Sequence, residues 1–406
     1  MMVHSDSKAP KDLFSGDITG LFYDGVNLPR PATLTLINGV LDTVVDAVDA
    51  TEFDESAGAE WHGPLIVPGF IDVHNHGGAG GGFPTGTIEE CIDAAMYHRA
   101  RGSTTLWASL VSAPGDELVA QTSMLASLAQ QGYIAGIHME GPFISSARCG
   151  AQNPANIIDG DPDMFAEVIS AGEGYLKSIT FAPETAHVDQ LFELCAQHGV
   201  IASLGHTNAD FDTMAAAISR GREIGATVTA THLFNAMPQI HHRAPGAAAA
   251  LISAGARGEI GLEVIADGTH LDDGAVDMVI NAAPHNSFGI TDAMAAAGKA
   301  DGDYVLGALD VTVADGVARL TNGGAIAGGT STLAEQFSRR MTRGASIRQA
   351  SAFVTGNVAR VMGMGELTTV ITGKPADLVV FANGGDSLPE LTIAAGRALY
   401  PRATSK

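Results

Sequence analysis

A chain of 406 residues exceeds the usual size of one domain, so one large domain with a small companion is the natural expectation. Its 22 Lys and Arg against 45 Asp and Glu leave a formal net charge of -23, which repels nucleic acid and anionic lipid and calls for a local basic site if the ligand is an anion. Cys91, Cys149 and Cys195 are odd in number and lack metal-site spacing, which excludes a disulfide framework and a thiolate zinc site and suits a reducing cytoplasm.

The opening MMVHSDSKAPKDLF has no apolar core of signal-peptide length, and residues 246–256 are too few to span a bilayer, so a soluble chain without a membrane partner is expected. Residues 1–64 read as short strands with turns, in DITGLFYDGVNL and ATLTLINGVLDTVV. From residue 65, apolar runs at 65–73, 104–110, 134–138, 178–183, 200–204, 228–231, 262–266 and 288–291 alternate with helical segments. Three of those segments, IEECIDAAMYHRARG, DELVAQTSMLASLAQQG and HVDQLFELCAQHG, close with Gly where a helix C-terminus favours it. Eight such units predict an α/β fold, a (β/α)8 TIM-type barrel over residues 65–364. Residues 365–406 return to strands in GKPADLVVF and LTIAAGRALY, and with residues 1–64 they are expected to form one small β-sandwich domain.

Chemistry in such a barrel sits at the C-terminal ends of the strands, and unusual polar residues end these runs. The first ends in Asp72-Val73-His74-Asn75-His76, the third in His138-Met139-Glu140, the fifth in Gly205-His206 and the sixth in Thr231-His232. The seventh leads to Asp267 and His270, and the eighth ends in Thr291-Asp292. Residues i and i+2 of a strand face one side, so His74 and His76 can address one ion. Imidazole and carboxylate donors select zinc, iron, cobalt or manganese over calcium, and such ions make hydroxide available at neutral pH. A lone strand-end histidine is more often a hydrogen-bonded structural residue than a ligand. Four of them with two carboxylates at equivalent strand ends favour a metal centre. The remaining His4, His62, His98, His187, His198 and His285 are assigned to solvated loops or helix ends.

The strings PGFIDVHNHG, HMEGPFIS, SLGHTNAD, THLFNAMPQIHHRAPG, VIADGTHL, ITDAMAAAG and IAGGTSTL together resemble the N-acetylglucosamine-6-phosphate deacetylase family of the amidohydrolase superfamily. The resemblance spans the whole barrel and implies a metal-dependent hydrolase of a phosphorylated amino sugar. It implies that Glu140, His206 and His232 form the main metal site, that His74 and His76 add a second, and that Asp292 contacts the metal-bound water as proton shuttle. One or two divalent ions per subunit follow, zinc first, with iron, cobalt, manganese or cadmium as alternatives. It also places Asn235, Ala236, His270, Ala151 and the backbone of Ile326, Ala327 and Gly328 around the sugar phosphate, with Arg243 reaching in from the neighbouring subunit of a homodimer. Where many members carry a loop histidine, CGAQN has Gln152, which can hydrogen-bond but carries no charge. Cys149 beside it reads as an ordinary loop thiol.

Three rival readings are weaker. A deacetylase of another N-acetylated metabolite, such as N-acetylgalactosamine 6-phosphate or an acylated amino acid, differs only in substrate. A non-catalytic scaffold of the same fold would not need the full ligand set. A glycosidase needs a second strand-end carboxylate free of metal duties, and Asp267, the one candidate, reads as structural. Lys177, the one lysine between His76 and His206, precedes the fourth strand, so a carboxylated-lysine bridge is not expected and Glu140 takes the bridging place.

Overall fold

In a computed structural model, which describes residues 13–47 and 61–401, eight parallel strands form a nearly closed barrel. Its strands, in order around the sheet, are Ile71–Asp72, Thr105–Leu110, Gly136–Glu140, Leu176–Phe181, Ile201–Leu204, Val228–Ala230, Gly261–Val264 and Ser287–Gly289. Most are buried along their whole length, as expected of parallel strands covered by helices. Of the three helices expected to close on Gly, Val188–His198 does so, while Ile88–Arg99 and Gly115–Gln130 end on Ala100 and Gln131 just ahead of theirs. Thr87 and Glu90 form a reciprocal cap on Ile88–Arg99, and Gly199 closes Val188–His198 at φ 65, a conformation that costs a side-chain-bearing residue. His4 and the opening MMVHSDSKAPKD lie outside the described residues.

The last barrel strand does not pair with the first through a regular ladder. Beyond both strand ends, Asp292 N–H donates to the His74 carbonyl at 2.9 Å and His76 N–H to the Ala293 carbonyl at 2.7 Å. Beneath them the buried Asp72 carboxylate accepts Thr291 N–H at 3.2 Å, Thr291 Oγ1–H at 2.7 Å and Asn75 Nδ2–H at 3.1 Å. These bonds close the seam.

The run expected as a single strand over 65–73 is two strands. Leu65–Pro68 belongs to a seven-stranded sheet made from both ends of the chain, in the order Arg397–Leu399, Leu391–Ala394, Leu378–Phe381, Leu65–Pro68, Gly16–Phe22, Arg30–Ile37, Val40–Asp46. The chain crosses into the barrel at Gly69, where any Cβ would stand 2.1 Å from Thr104 Oγ1, so only glycine lets the crossing pass the start of the second barrel strand. Its central strands are buried on both faces, while Arg30–Ile37 and Val40–Asp46 at one side turn alternate residues outward. Leu65, Val67, Val379 and Phe381 join the barrel core, where the Phe337 and Phe381 rings stack at 5.4 Å, while Ile66, Leu378 and Val380 pack in a second cluster with Phe22, Leu34 and Ile393.

Two features were not expected from the sequence. A three-stranded antiparallel sheet, Gly302–Leu306, Leu309–Ala314 and Val317–Leu320, follows the eighth barrel strand and packs Leu306, Val311 and Val313 on Val111 and Met294. His98, read as solvated, is fully buried on the inner face of its helix, where its Nε2 bonds the Gly77 carbonyl at 2.9 Å and burial pushes its pKa down to about 4. Among the described residues no helix is long and apolar enough to cross a membrane.

If the Asp72 bonds hold the seam, Asp72→Ala should lower unfolding free energy by about 2–4 kcal/mol, because it strands buried donors on two segments. Urea unfolding of the two proteins measures it; a change within experimental error would show that the seam closes without them.

Candidate metal centre

The six strand-end donors converge at the C-terminal mouth of the barrel. His74, His76 and Asp292 form one cluster and Glu140, His206 and His232 a second, with all six residues buried. Glu140 lies between them. Its Oε1 is 2.8 Å from His232 Nε2 and 3.1 Å from His206 Nε2, while its Oε2 is 3.3 Å from His76 Nε2. Asp292 Oδ1 stands 3.2 Å from His76 Nε2 and 3.4 Å from His74 Nε2.

Local backbone makes this convergence possible. His206, His232 and Asp292 have φ of 47°, 25° and 47°, in the left-handed region that residues with side chains seldom occupy. Each strand therefore turns sharply at its end and swings the side chain over the barrel mouth. Such conformations cluster where function over-determines them.

The outer ring nitrogens fix the tautomers. His76 Nδ1–H donates to the Ser109 carbonyl at 3.2 Å and His206 Nδ1–H to the Arg148 carbonyl at 3.0 Å; a carbonyl only accepts, so the proton sits on Nδ1 and the Nε2 lone pair faces inward. His74 Nδ1–H does the same towards the Glu263 carboxylate at 3.1 Å. Inward-facing Nε2 atoms then lie only 3.2 Å apart in His74 and His76, and 3.1 Å apart in His206 and His232. Lone pairs aimed at one another across such gaps, beside two buried carboxylates, suit divalent cations between them. The donor set fits.

Without a cation, protons take its place. Burial disfavours a charged His76, but the carboxylates of Asp292 and Glu140 outweigh it and push its pKa up to about 10. Burial would likewise favour neutral carboxyls, yet the surrounding imidazoles hold Glu140 and Asp292 well below the usual carboxylate range. His138, one layer deeper, is buried neutral between Ser109 Oγ and Thr180 Oγ1.

The other expected residues are distributed as follows. Gln152 is buried and turned onto the centre, its Oε1 accepting Ser112 N–H at 2.7 Å and its Nε2–H donating to Glu140 Oε2 at 2.6 Å. Ala151 packs on the cluster that contains Met294 and Ala327. The Asn235 amide is bonded to the His232 carbonyl at 3.0 Å, and the Ala236 carbonyl accepts Thr207 N–H at 3.2 Å. Asp267 accepts His270 Nδ1–H at 2.8 Å; burial disfavours a charged His270, but Asp267 prevails and raises its pKa. Ile326 pairs with Arg319, and Gly328 turns at φ 82 against the Asp292 carbonyl. Arg243 is exposed, with Nη1 2.7 Å from His242 Nε2, and no described contact ties it to the centre of its own chain. Lys177, expected ahead of the fourth strand, is its second residue, at the N-terminal end away from the mouth, and its Nζ donates to the Gly174 carbonyl at 2.8 Å. Glu263, which sequence reasoning passed over, lies within a buried strand and touches both halves of the centre. A charged residue inside the run GLEV was the available signal.

Comparison with known proteins shows the family. Residues 65–399 match the model of the amidohydrolase family. The chain superimposes, at a TM-score of 0.85 and 35% identity over 95% of its length and 99% of the other's, on a mutant of Mycobacterium smegmatis N-acetyl-D-glucosamine-6-phosphate deacetylase in complex with N-acetyl-D-glucosamine-6-phosphate. It is 30% identical to the N-acetylglucosamine-6-phosphate deacetylase of Bacillus subtilis, covering 89% of this chain and 92% of that one. It is also 30% identical to the N-acetylgalactosamine-6-phosphate deacetylase of Escherichia coli O157:H7, covering 79% and 84%.

Because the ion-free centre holds a proton on His76 up to about pH 10, cation binding at neutral pH should expel it. Zinc titration by calorimetry in buffers of different ionisation enthalpy should show proton release on binding, with affinity rising as pH rises between about 6 and 8. Binding that ignores pH would contradict the placement of His76 among the ligands.

Proposed function

Since the chain belongs to the amidohydrolase family, we propose that it is a deacetylase that hydrolyses N-acetyl-D-glucosamine 6-phosphate to D-glucosamine 6-phosphate and acetate in amino-sugar breakdown. The observation that carries this reading is the meeting of two donor clusters at Glu140, with Asp292 at their edge. We assign Glu140, His206 and His232 to one divalent ion and His74, His76 and Asp292 to a second. Nitrogen and carboxylate donors suit zinc first, then iron, cobalt, manganese or cadmium. When bound, such ions polarise a carbonyl and make water more acidic.

The protein's own part is proton traffic and positioning. Asp292 takes the proton from water at its carboxylate as the water oxygen adds to the acetyl carbon. It then delivers that proton to the amide nitrogen, so that the C–N bond breaks with a neutral amine leaving and acetic acid formed, whose remaining proton passes to the amine or to solvent to leave acetate. One carboxylate serves first as base and then as acid. Glu140 holds its place through Gln152, which donates to the oxygen that faces His76.

Substrate placement follows the loops around the mouth. His270, its charged form favoured by Asp267, suits an anionic or hydroxyl-rich ligand, and Ala151, Asn235, Ala236 and the backbone of Ile326, Ala327 and Gly328 line the approach. Arg243, exposed and unattached to its own centre, fits a homodimer in which it reaches the partner's phosphate. The three free cysteines accord with a cytoplasmic enzyme. Similarity to a galactosamine-type deacetylase keeps the epimeric sugar as the second reading.

Acetate release from N-acetylglucosamine 6-phosphate, beside its galacto epimer, the unphosphorylated sugar and a chelator-treated sample, tests the proposal. Chelator-sensitive release from the phosphorylated gluco sugar supports it; release from neither phosphosugar overturns it. Asp292→Asn should cut turnover about 10²–10⁴-fold while the ion at Glu140, His206 and His232 stays bound, as metal analysis would show. Mixing Arg243→Ala subunits, inactive towards the phosphosugar, with Asp292→Asn subunits should restore about a quarter of wild-type activity, because half the dimers carry one intact site. No recovery after verified exchange would refute completion in trans.

A further inference from the structure

Four imidazoles face the centre, and their outer nitrogens are held unequally. Those of His76 and His206 lean on main-chain carbonyls, and that of His74 leans on Glu263. The Nδ1 of His232 is buried and has no hydrogen-bond partner among the described residues. Its ring must therefore be aimed by its backbone, and that backbone is a left-handed turn at φ 25.

Glu263 supplies the hold. It projects from the strand Gly261–Val264 between Leu262 and Val264, which face the apolar core, and is 3% exposed. Its Oε2 accepts His232 N–H at 3.1 Å, and its main-chain carbonyl accepts Leu233 N–H at 2.9 Å, so both amides of the turn are tied to one residue. The same Oε2 accepts His74 Nδ1–H at 3.1 Å, which keeps the His74 Nε2 lone pair inward. One carboxylate oxygen thus touches a ligand from each cluster. Because it is charged, it also makes the His74 ring a better electron donor.

We propose that Glu263 is a positioning residue for both halves of the centre, orienting one imidazole of each donor cluster through a single oxygen, so that its loss weakens metal binding at both. This rests on the two-ion reading given above. Gln in its place is similar in size and can still present an acceptor through its Oε1, but it is neutral, so both bonds lose their charge assistance and the His74 ring loses the negative partner that makes it a better donor. Asp keeps the charge but is one methylene short of the two donors.

The test is titration of chelator-stripped full-length protein with zinc, followed by calorimetry, and with cobalt(II), followed by its visible absorption. Wild type should bind two ions; Glu263→Gln should bind both about 10–100-fold more weakly, with an altered cobalt spectrum, and Glu263→Asp should fall between. Urea unfolding of the stripped proteins separates this from a purely structural role. A variant that loses stability yet keeps wild-type zinc affinity and cobalt spectrum would overturn the proposal. Should Glu263→Gln not fold, unchanged zinc affinity in Glu263→Asp would overturn it equally. Wild type that takes up no ion would instead remove the two-ion reading, and the proposal with it.

Discussion

The seam between the first and last barrel strands governs the rest of the molecule. Seven of the eight strand junctions are ordinary parallel ladders, but this one is made by side chains and by main-chain bonds beyond the strand ends. The same few residues that close it, 72–76 and 291–293, carry three of the six converging donors. Closing the barrel and bringing His74, His76 and Asp292 together are one event. A fold that failed to close would have no second cluster at all.

The centre also illustrates how charge and strain are balanced in a protein interior. Two carboxylates and four imidazoles share a space with almost no water contact. Isolated, each charge would be costly; arranged together, the imidazoles stabilise the carboxylates and the carboxylates stabilise protonated imidazole. The left-handed turns at His206, His232 and Asp292 add a further cost of order 1–3 kcal/mol each, which the surrounding barrel must offset. The arrangement is held in readiness for a cation before one arrives.

Much of this was legible in the sequence because the barrel repeats one rule eight times: an apolar run followed by a turn that carries function. The pairing of His74 with His76, and the presence of Glu140, His206, His232 and Asp292 at equivalent ends, follow from that rule. What escaped it lay off the strand ends. Glu263 sits one residue inside a strand, where a charge reads as an anomaly rather than as a support. His98 belongs to a helix whose apolar face is made of alanines and so gives a weak periodic signal. The three-stranded insert after residue 301 alternates clearly in DYVL and DVTVA, but an eight-unit count left no place for it. The split of 65–73 is marked in the sequence by Pro68-Gly69, where the pattern of the small sheet stops; taking 65–73 as one apolar run passed over that signal, which the crowding at Gly69 explains.

The strand Leu65–Pro68 has one neighbour from each end of the chain, Gly16–Phe22 on one side and Leu378–Phe381 on the other. During synthesis the second neighbour emerges about 310 residues after Leu65–Pro68 itself, once every barrel strand has been made. Until then Leu65–Pro68 presents an open hydrogen-bonding edge with apolar residues on both faces, the kind of surface that recruits other chains. Order of manufacture thus makes the tail a latch: the ribosome must finish before the nascent protein can hide its stickiest edge, and a chain cut short before residue 378 would keep that edge exposed.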